Sequence, residues 1–149
     1  MELFNKTKNS LIRKLGNEPL SDTTINKVGK EIFGIKWGGV GSQSMTIPKT
    51  KDRYYVINTA HNDKSRGVHW VALYISKSGK SYIYDSFARN TNHLMFVLEK
   101  KLKGGTKKEP VGVNTNGAEQ NSGSNLCGHI SLAWLNVVDN LGIREAGKI

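Results

Sequence analysis

The sequence has little cysteine, few acidic side chains and no long apolar run. Its single thiol, Cys127, makes no internal disulfide and no cysteine-based zinc cage, which removes two common ways of stabilising a small fold. A reducing intracellular compartment is the expectation for such a chain. The apolar stretches break short of the roughly 18 to 20 residues a membrane span requires, so no transmembrane helix is expected. Residues 1–16 carry Glu2 and four Lys or Arg without an apolar h-region, unlike a secretory signal. No internal repeat or low-complexity segment is present. Twelve Asp and Glu stand against 22 Lys and Arg, a formal charge of +10 at pH 7. That excess attracts polyanions, nucleic acid first among them, and is equally compatible with solubility alone.

What the sequence does hold is enough for one core. A chain of 149 residues buries about two-thirds of the surface its unfolded form exposes, and 37% of these residues are hydrophobic. One domain over 1–149 is expected, with a helical part over 1–50 and a main core over 54–141.

Leu3, Phe4, Leu11, Ile12 and Leu15 fall at helical spacing over 2–15, with Gly16 as a stop. Ser21 is a good N-cap for a second helix, which presents Ile25, Val28, Ile32 and Phe33 on one side. The stretch 34–44 holds four glycines around Trp37 and predicts a loop. Residues 54–58 predict a strand, and 61–67 a polar turn. The apolar run 68–75 predicts a strand buried on both faces, which a Ser-Lys-Ser-Gly-Lys turn joins to another over 81–87 as an antiparallel hairpin. An amphipathic helix is expected over 91–103, with Leu94, Val97, Leu98 and Leu102 inward. A basic loop over 103–109, a short strand over 111–113 and a long polar loop over 114–125 follow. The last helix, 126–141, is apolar nearly all round through Ile130, Leu132, Ala133, Trp134, Val137, Val138 and Leu141, which predicts a central position. The fold class expected is α+β: a small mixed or antiparallel central sheet packed with helices, one of them buried with Cys127 at its N-terminus.

That placement gives the cysteine chemical interest. The unpaired N–H groups and macrodipole of a helix N-terminus stabilise a thiolate, although a lone cysteine there is as readily a small core residue. A cysteine nucleophile needs a base, and the base needs an orienting group. His61 and His93 fall in segments expected at the surface, and His129, two residues past Cys127, projects from a different face. His69 is different: it lies in the apolar run, where a polar ring requires a partner. The hairpin brings it within reach of Asp85, the one acidic residue of Tyr82-Ile83-Tyr84-Asp85-Ser86-Phe87. A purely structural His–Asp pair is the competing reading. Gln120, seven residues before Cys127, carries an amide able to donate to a developing oxyanion, and taken alone reads as a surface residue.

Gly67-Val68-His69-Trp70, Tyr82 to Phe87, and Gln120-Asn121-Ser122-Gly123-Ser124-Asn125-Leu126-Cys127-Gly128 together resemble one clan of cysteine peptidases. The clan contains the adenovirus endopeptidase (adenain) type and the proteases of SUMO and other ubiquitin-like proteins. The order His, Asp, Gln, Cys is theirs, whereas papain-like enzymes run Gln, Cys, His, Asn. The resemblance spans about 54–141 and implies Cys127 as nucleophile, His69 as general base and acid, Asp85 as its orienter and Gln120 as oxyanion donor. It implies amide hydrolysis through a thioester, with no metal and no cofactor needed for the chemistry. Trp70 resembles the clan's strand tryptophan, with packing as its main expected role, and Trp37, Gly38 and Gly39 are candidates for the border of a substrate cleft.

Cleavage at glycine-containing sites is a habit of this clan. It makes Lys103-Gly104-Gly105-Thr106 a conceivable self-cleavage site, with a plain flexible loop as the simpler reading. The short catalytic span, the Gln-to-Cys spacing and the charge lean toward the viral type, which processes virion precursor proteins beside packaged DNA in the host cytoplasm or nucleus, or in the virion itself. DNA or a non-covalently bound peptide is then the candidate activator. Lys100, Lys101, Lys103, Lys107 and Lys108 form the densest basic patch, which a solvated helix face explains equally well. A monomer without membrane attachment is favoured. Two alternatives stay open: a deubiquitinase or deSUMOylase, and a basic nucleic-acid-binding module without catalysis.

Overall fold

Amphipathic spacing and good caps make the first two helices. In α1 (Glu2–Leu15), Phe4 and Leu11 are buried, and the Gly16 N–H closes the last turn on the Ile12 carbonyl at 2.8 Å. In α2 (Asp22–Phe33), Ser21 caps the start by accepting the Thr24 N–H at 3.2 Å, while Ile25, Val28 and Phe33 are buried. The structure, a computed structural model, describes residues 2–48, 50–59, 69–86, 112–113 and 125–149. The expected turn over 61–67, helix over 91–103, basic loop over 103–109 and most of the loop over 114–125 lie outside the described residues.

A short 3₁₀ turn (Gly34–Lys36) leads from α2 into a five-stranded sheet of order β1-β2-β3-β4-β5. The strands are β1 (Trp37–Ser42), β2 (Arg53–Asn58), β3 (Trp70–Ile75), β4 (Ser81–Tyr84) and β5 (Gly112–Val113). β2, β3 and β4 are antiparallel, and the outer pairs β1–β2 and β4–β5 are parallel, so the sheet is mixed. Helices α3 (Cys127–Leu141) and α4 (Ile143–Ala146) follow. The α+β class expected from the pattern is the observed one.

The glycine-rich stretch is not the loop that its composition predicts. β1 is an edge strand, and its glycines make room for neighbouring side chains. A Cβ on Gly38 would lie 2.3 Å from Cε1 of Tyr55, and Gly39, at φ 134°, sits where the β1–β2 register slips. Here glycine marks tight packing on a sheet, which composition cannot distinguish from a loop.

Strict alternation sorts the sheet residues into two faces. Tyr54, Val56, Ala72 and Tyr84 face α1, α2 and α3 in the larger core, beside Ile130, Leu132 and Trp134. Tyr55, Ile57, Val71, Leu73 and Ile83 make the second face, against which Met45 and Ile47 of the β1–β2 connection pack. Tyr84 and Trp134 stack at 5.1 Å between centroids, and the Trp134 indole N–H donates to the Ala146 carbonyl at 3.1 Å, which ties α4 into the core. Each large side chain buried in this way contributes roughly 1.5–3 kcal/mol. Helix α3 is buried along most of its length, from Cys127 to Leu135 and again at Val137 and Val138, as its all-round apolar character requires.

Candidate active site

Cys127 is the first residue of α3 and is buried. Among the described residues no side chain caps this helix, and its first internal bond runs from the Ile130 N–H to the Leu126 carbonyl at 2.9 Å. The N–H groups of residues 127–129 therefore have no carbonyl within the helix, and the positive end of its dipole lies at the sulfur.

The strand ends supply the other groups. β4 stops at Tyr84, opposite Ala72, and β3 starts at Trp70. His69 and Asp85 thus lie one residue outside their strands rather than within them, as the sequence pattern predicted. The β2–β3 register runs one step past the strand, the Thr59 N–H donating to the His69 carbonyl at 3.0 Å, and the His69 and Asp85 side chains meet at the rim of the sheet. His69 Nε2 lies 2.5 Å from Asp85 Oδ1, with both side chains essentially inaccessible to solvent. A carboxylate only accepts, so Nε2 carries the proton of this bond and Nδ1 is the nitrogen through which the ring can act on the thiol.

The electrostatics follow from these contacts. Burial pushes the Cys127 thiol up, but the nearby His69 imidazole and the Trp70 N–H outweigh it, aided by the Gly128 N–H. The net shift is downward, toward thiolate. Burial pushes His69 down, and the bond to Asp85 with the nearby thiol outweighs that, so the net shift is upward, toward imidazolium. Each shift favours the ionised form of its group. The Trp70 N–H donates to Sγ at 3.4 Å, and the Ser131 hydroxyl donates to the Trp70 carbonyl at 3.3 Å.

The other candidate residues are placed as follows. Gln120, Lys100, Lys101, Lys103, Lys107, Lys108, His61, His93 and the Gly104-Gly105 segment lie outside the described residues. Trp70 packs against the larger core and donates its indole N–H to the Leu20 carbonyl at 3.1 Å, so it is both a packing residue and a backbone donor to the sulfur. Trp37, Gly38 and Gly39 do not adjoin the cysteine. Trp37 is level with Tyr54 and Tyr74, whereas Trp70 is level with Asn58 and Ser42 at the other end of the sheet. There Trp37 stacks on Phe33 and bonds Asn26 at 2.9 Å, which is a packing role. His129 bonds the Gly16 carbonyl at 2.8 Å and braces α3 against the end of α1.

Two residues near the site were not singled out from the sequence. Gln43 is wholly buried and donates its amide to the Thr59 carbonyl, while the Thr59 N–H holds the His69 carbonyl at 3.0 Å. Nothing in Gly-Ser-Gln-Ser separates it from a surface turn. Ser131 did carry a signal, as a hydroxyl on an apolar helix one turn past the cysteine.

Among the described residues no group of three or more His, Cys, Asp or Glu is placed to hold a metal, and no helix is long and apolar enough to cross a membrane. The chain matches no protein-family model and no curated protein. The site holds a thiol shifted toward its anion, an imidazole that a carboxylate orients, and a donor-rich helix end.

Proposed function

We propose that this protein is a cysteine peptidase. More particularly, it is an endopeptidase of the adenovirus-endopeptidase type that processes virion precursor proteins at glycine-containing sites in the infected cell or the virion. The observation that carries this reading is the pairing of His69 with buried Asp85 at the sheet end where the neighbouring Trp70 N–H holds the Cys127 sulfur. A structural His–Asp pair has no need of a thiol at the helix N-terminus, and a core cysteine has no need of an imidazole.

In this mechanism the Cys127 proton passes to His69 Nδ1, and the sulfur attacks the scissile carbonyl carbon. The oxyanion that forms accepts from the Cys127 N–H and the Gln120 amide. As the carbon–nitrogen bond breaks, the imidazolium returns its proton to the departing amine, leaving a thioester. Water, deprotonated by the neutral imidazole, attacks that thioester. Its collapse releases the acid and restores the thiol. Asp85 keeps the ring oriented and supports its charged state throughout.

The test is a set of fluorogenic peptides with Gly-Gly-type sites and a ubiquitin-like fusion, each with and without DNA, cleaved by wild type and by Cys127→Ala. Peptide cleavage that disappears in the variant is the expected result, and stimulation by DNA favours virion maturation. Cleavage of the fusion alone would move the assignment to the ubiquitin-like-protein proteases. DNA binding with no Cys127-dependent cleavage under any condition would replace the enzyme with a binding module.

A further inference from the structure

Trp70 opens β3, yet its backbone groups belong to the helix rather than the sheet. The His69 carbonyl points toward β2, where it accepts the Thr59 N–H at 3.0 Å. Alternation along a strand turns the N–H and carbonyl of Trp70 the other way, toward β4. The β4 ladder has already ended at Tyr84, so α3 serves both groups. The N–H reaches Cys127 Sγ at 3.4 Å, and the carbonyl takes the Ser131 hydroxyl proton at 3.3 Å.

Ser131 is wholly buried and stands four residues, about one helical turn, after Cys127. A serine inside a helix commonly returns its proton to the carbonyl four residues back. This one reaches across to the strand instead. The peptide between His69 and Trp70 is thus anchored at its oxygen by Thr59, while Ser131 grips the next carbonyl along. With both held, the amide hydrogen of Trp70 stays aimed at sulfur.

We infer that Ser131 is a positioning residue for the peptidase proposed above: by holding the Trp70 carbonyl it keeps the Trp70 N–H on Cys127, where it supports the anionic sulfur. An N–H bond to a charged acceptor is about twice as strong as one to a neutral acceptor, so its aim matters most once the thiolate has formed. Ser131 touches no reacting atom, and its effect passes wholly through Trp70.

The sequence contains one cysteine, so alkylation by iodoacetamide reports Cys127 alone. The rate is followed against pH for wild type, Ser131→Ala and Ser131→Thr, beside a thermal melt of each. Alanine adds no volume and favours helix, so the fold is retained. In Ser131→Ala the pH midpoint is expected to rise by about 0.5–1 unit, a roughly three- to tenfold fall in rate below the midpoint. Ser131→Thr, which keeps a hydroxyl, should return the midpoint toward wild type. A depressed wild-type midpoint that Ser131→Ala leaves in place would overturn the role of Ser131 and leave the peptidase reading intact. A wild-type midpoint at the ordinary thiol value would overturn the support of the sulfur through Trp70 and Ser131, while Cys127-dependent cleavage decides the peptidase reading separately.

Discussion

The two ends of the sheet are built from different materials. At the end where β1 begins, aromatic rings dominate: Tyr54 lies 4.9 Å from Phe33 and 5.3 Å from Tyr74, and Tyr74 lies 6.0 Å from Tyr82. Its polar atoms are held at the margin, where Lys36 bridges Asp139 at 3.5 Å and Asp52 at 3.7 Å, and Tyr54 donates to Asp139 at 2.9 Å. Burial and then this carboxylate push the Tyr54 hydroxyl strongly up, so it stays a donor. At the other end lie Ser42, Gln43, His69, Asp85 and Ser86, with His129 and Ser131 on the adjoining part of α3. These are all the buried polar and charged residues among the described ones. Buried polar groups are costly unless partnered. Their confinement to one end separates the aromatic part of the sheet from the part that holds the candidate site.

Substitutions can break or sharpen that division. Cys127→Ala should lower peptide cleavage by at least about 10³-fold while leaving the melting temperature nearly unchanged, since the new side chain is smaller and helix-favouring. Asp85→Asn should reduce cleavage by on the order of 10²–10⁴-fold, because an uncharged partner no longer holds His69 as imidazolium. A steady-state assay across pH checks both expectations. Cleavage is expected to depend on the thiol, whose value is lowered, and on the imidazole, whose value is raised, which gives a bell-shaped profile.

The aromatic end should answer in the opposite sense. Phe33→Ala is expected to cost about 3–5 kcal/mol in chemical denaturation and to leave the pH midpoint of Cys127 alkylation where it was. Gly38→Ala should cost about 1–3 kcal/mol, as the new methyl displaces the Tyr55 ring, with the same indifference at the thiol. A shift of the midpoint in either variant would show that the two ends are mechanically joined.

The smallest effect concerns His129. Burial lowers its value below the ordinary one, and the bond to the Gly16 carbonyl offsets only part of that. The unfolded chain therefore binds this proton more readily, so stability is fully present above about pH 6.5 and falls as pH drops through the folded-state value. His129→Gln, which can still donate to Gly16, should flatten that part of a denaturation-against-pH curve.

Local patterns carried the helices well. The caps at Ser21 and Gly16, the period of α1 and α2 and the apolar circumference of α3 depend on neighbours three or four residues apart, so sequence expresses them directly. The hairpin was legible for the same reason, through a five-residue turn between apolar runs. β1 was not, because its glycines answer to Tyr55 and Met45, which are distant in the chain or lie beyond the strand. Gln43 carried no signal, and Ser131 stood out only as a hydroxyl on an apolar helix, since the role of each depends on a carbonyl brought near by tertiary structure.

By itself the sequence determined the α+β class, the buried final helix with its cysteine at the N-terminus, and the proximity of His69 to Asp85. All three follow from residue type, local period and one short turn. Only the tertiary structure decided that His69 and Asp85 meet at the end of the sheet where Cys127 opens α3. It alone decided that Trp70 turns its backbone to that helix. The reason is physical: where strands end is set by which backbone groups find partners elsewhere, and here a helix far along the chain provides them.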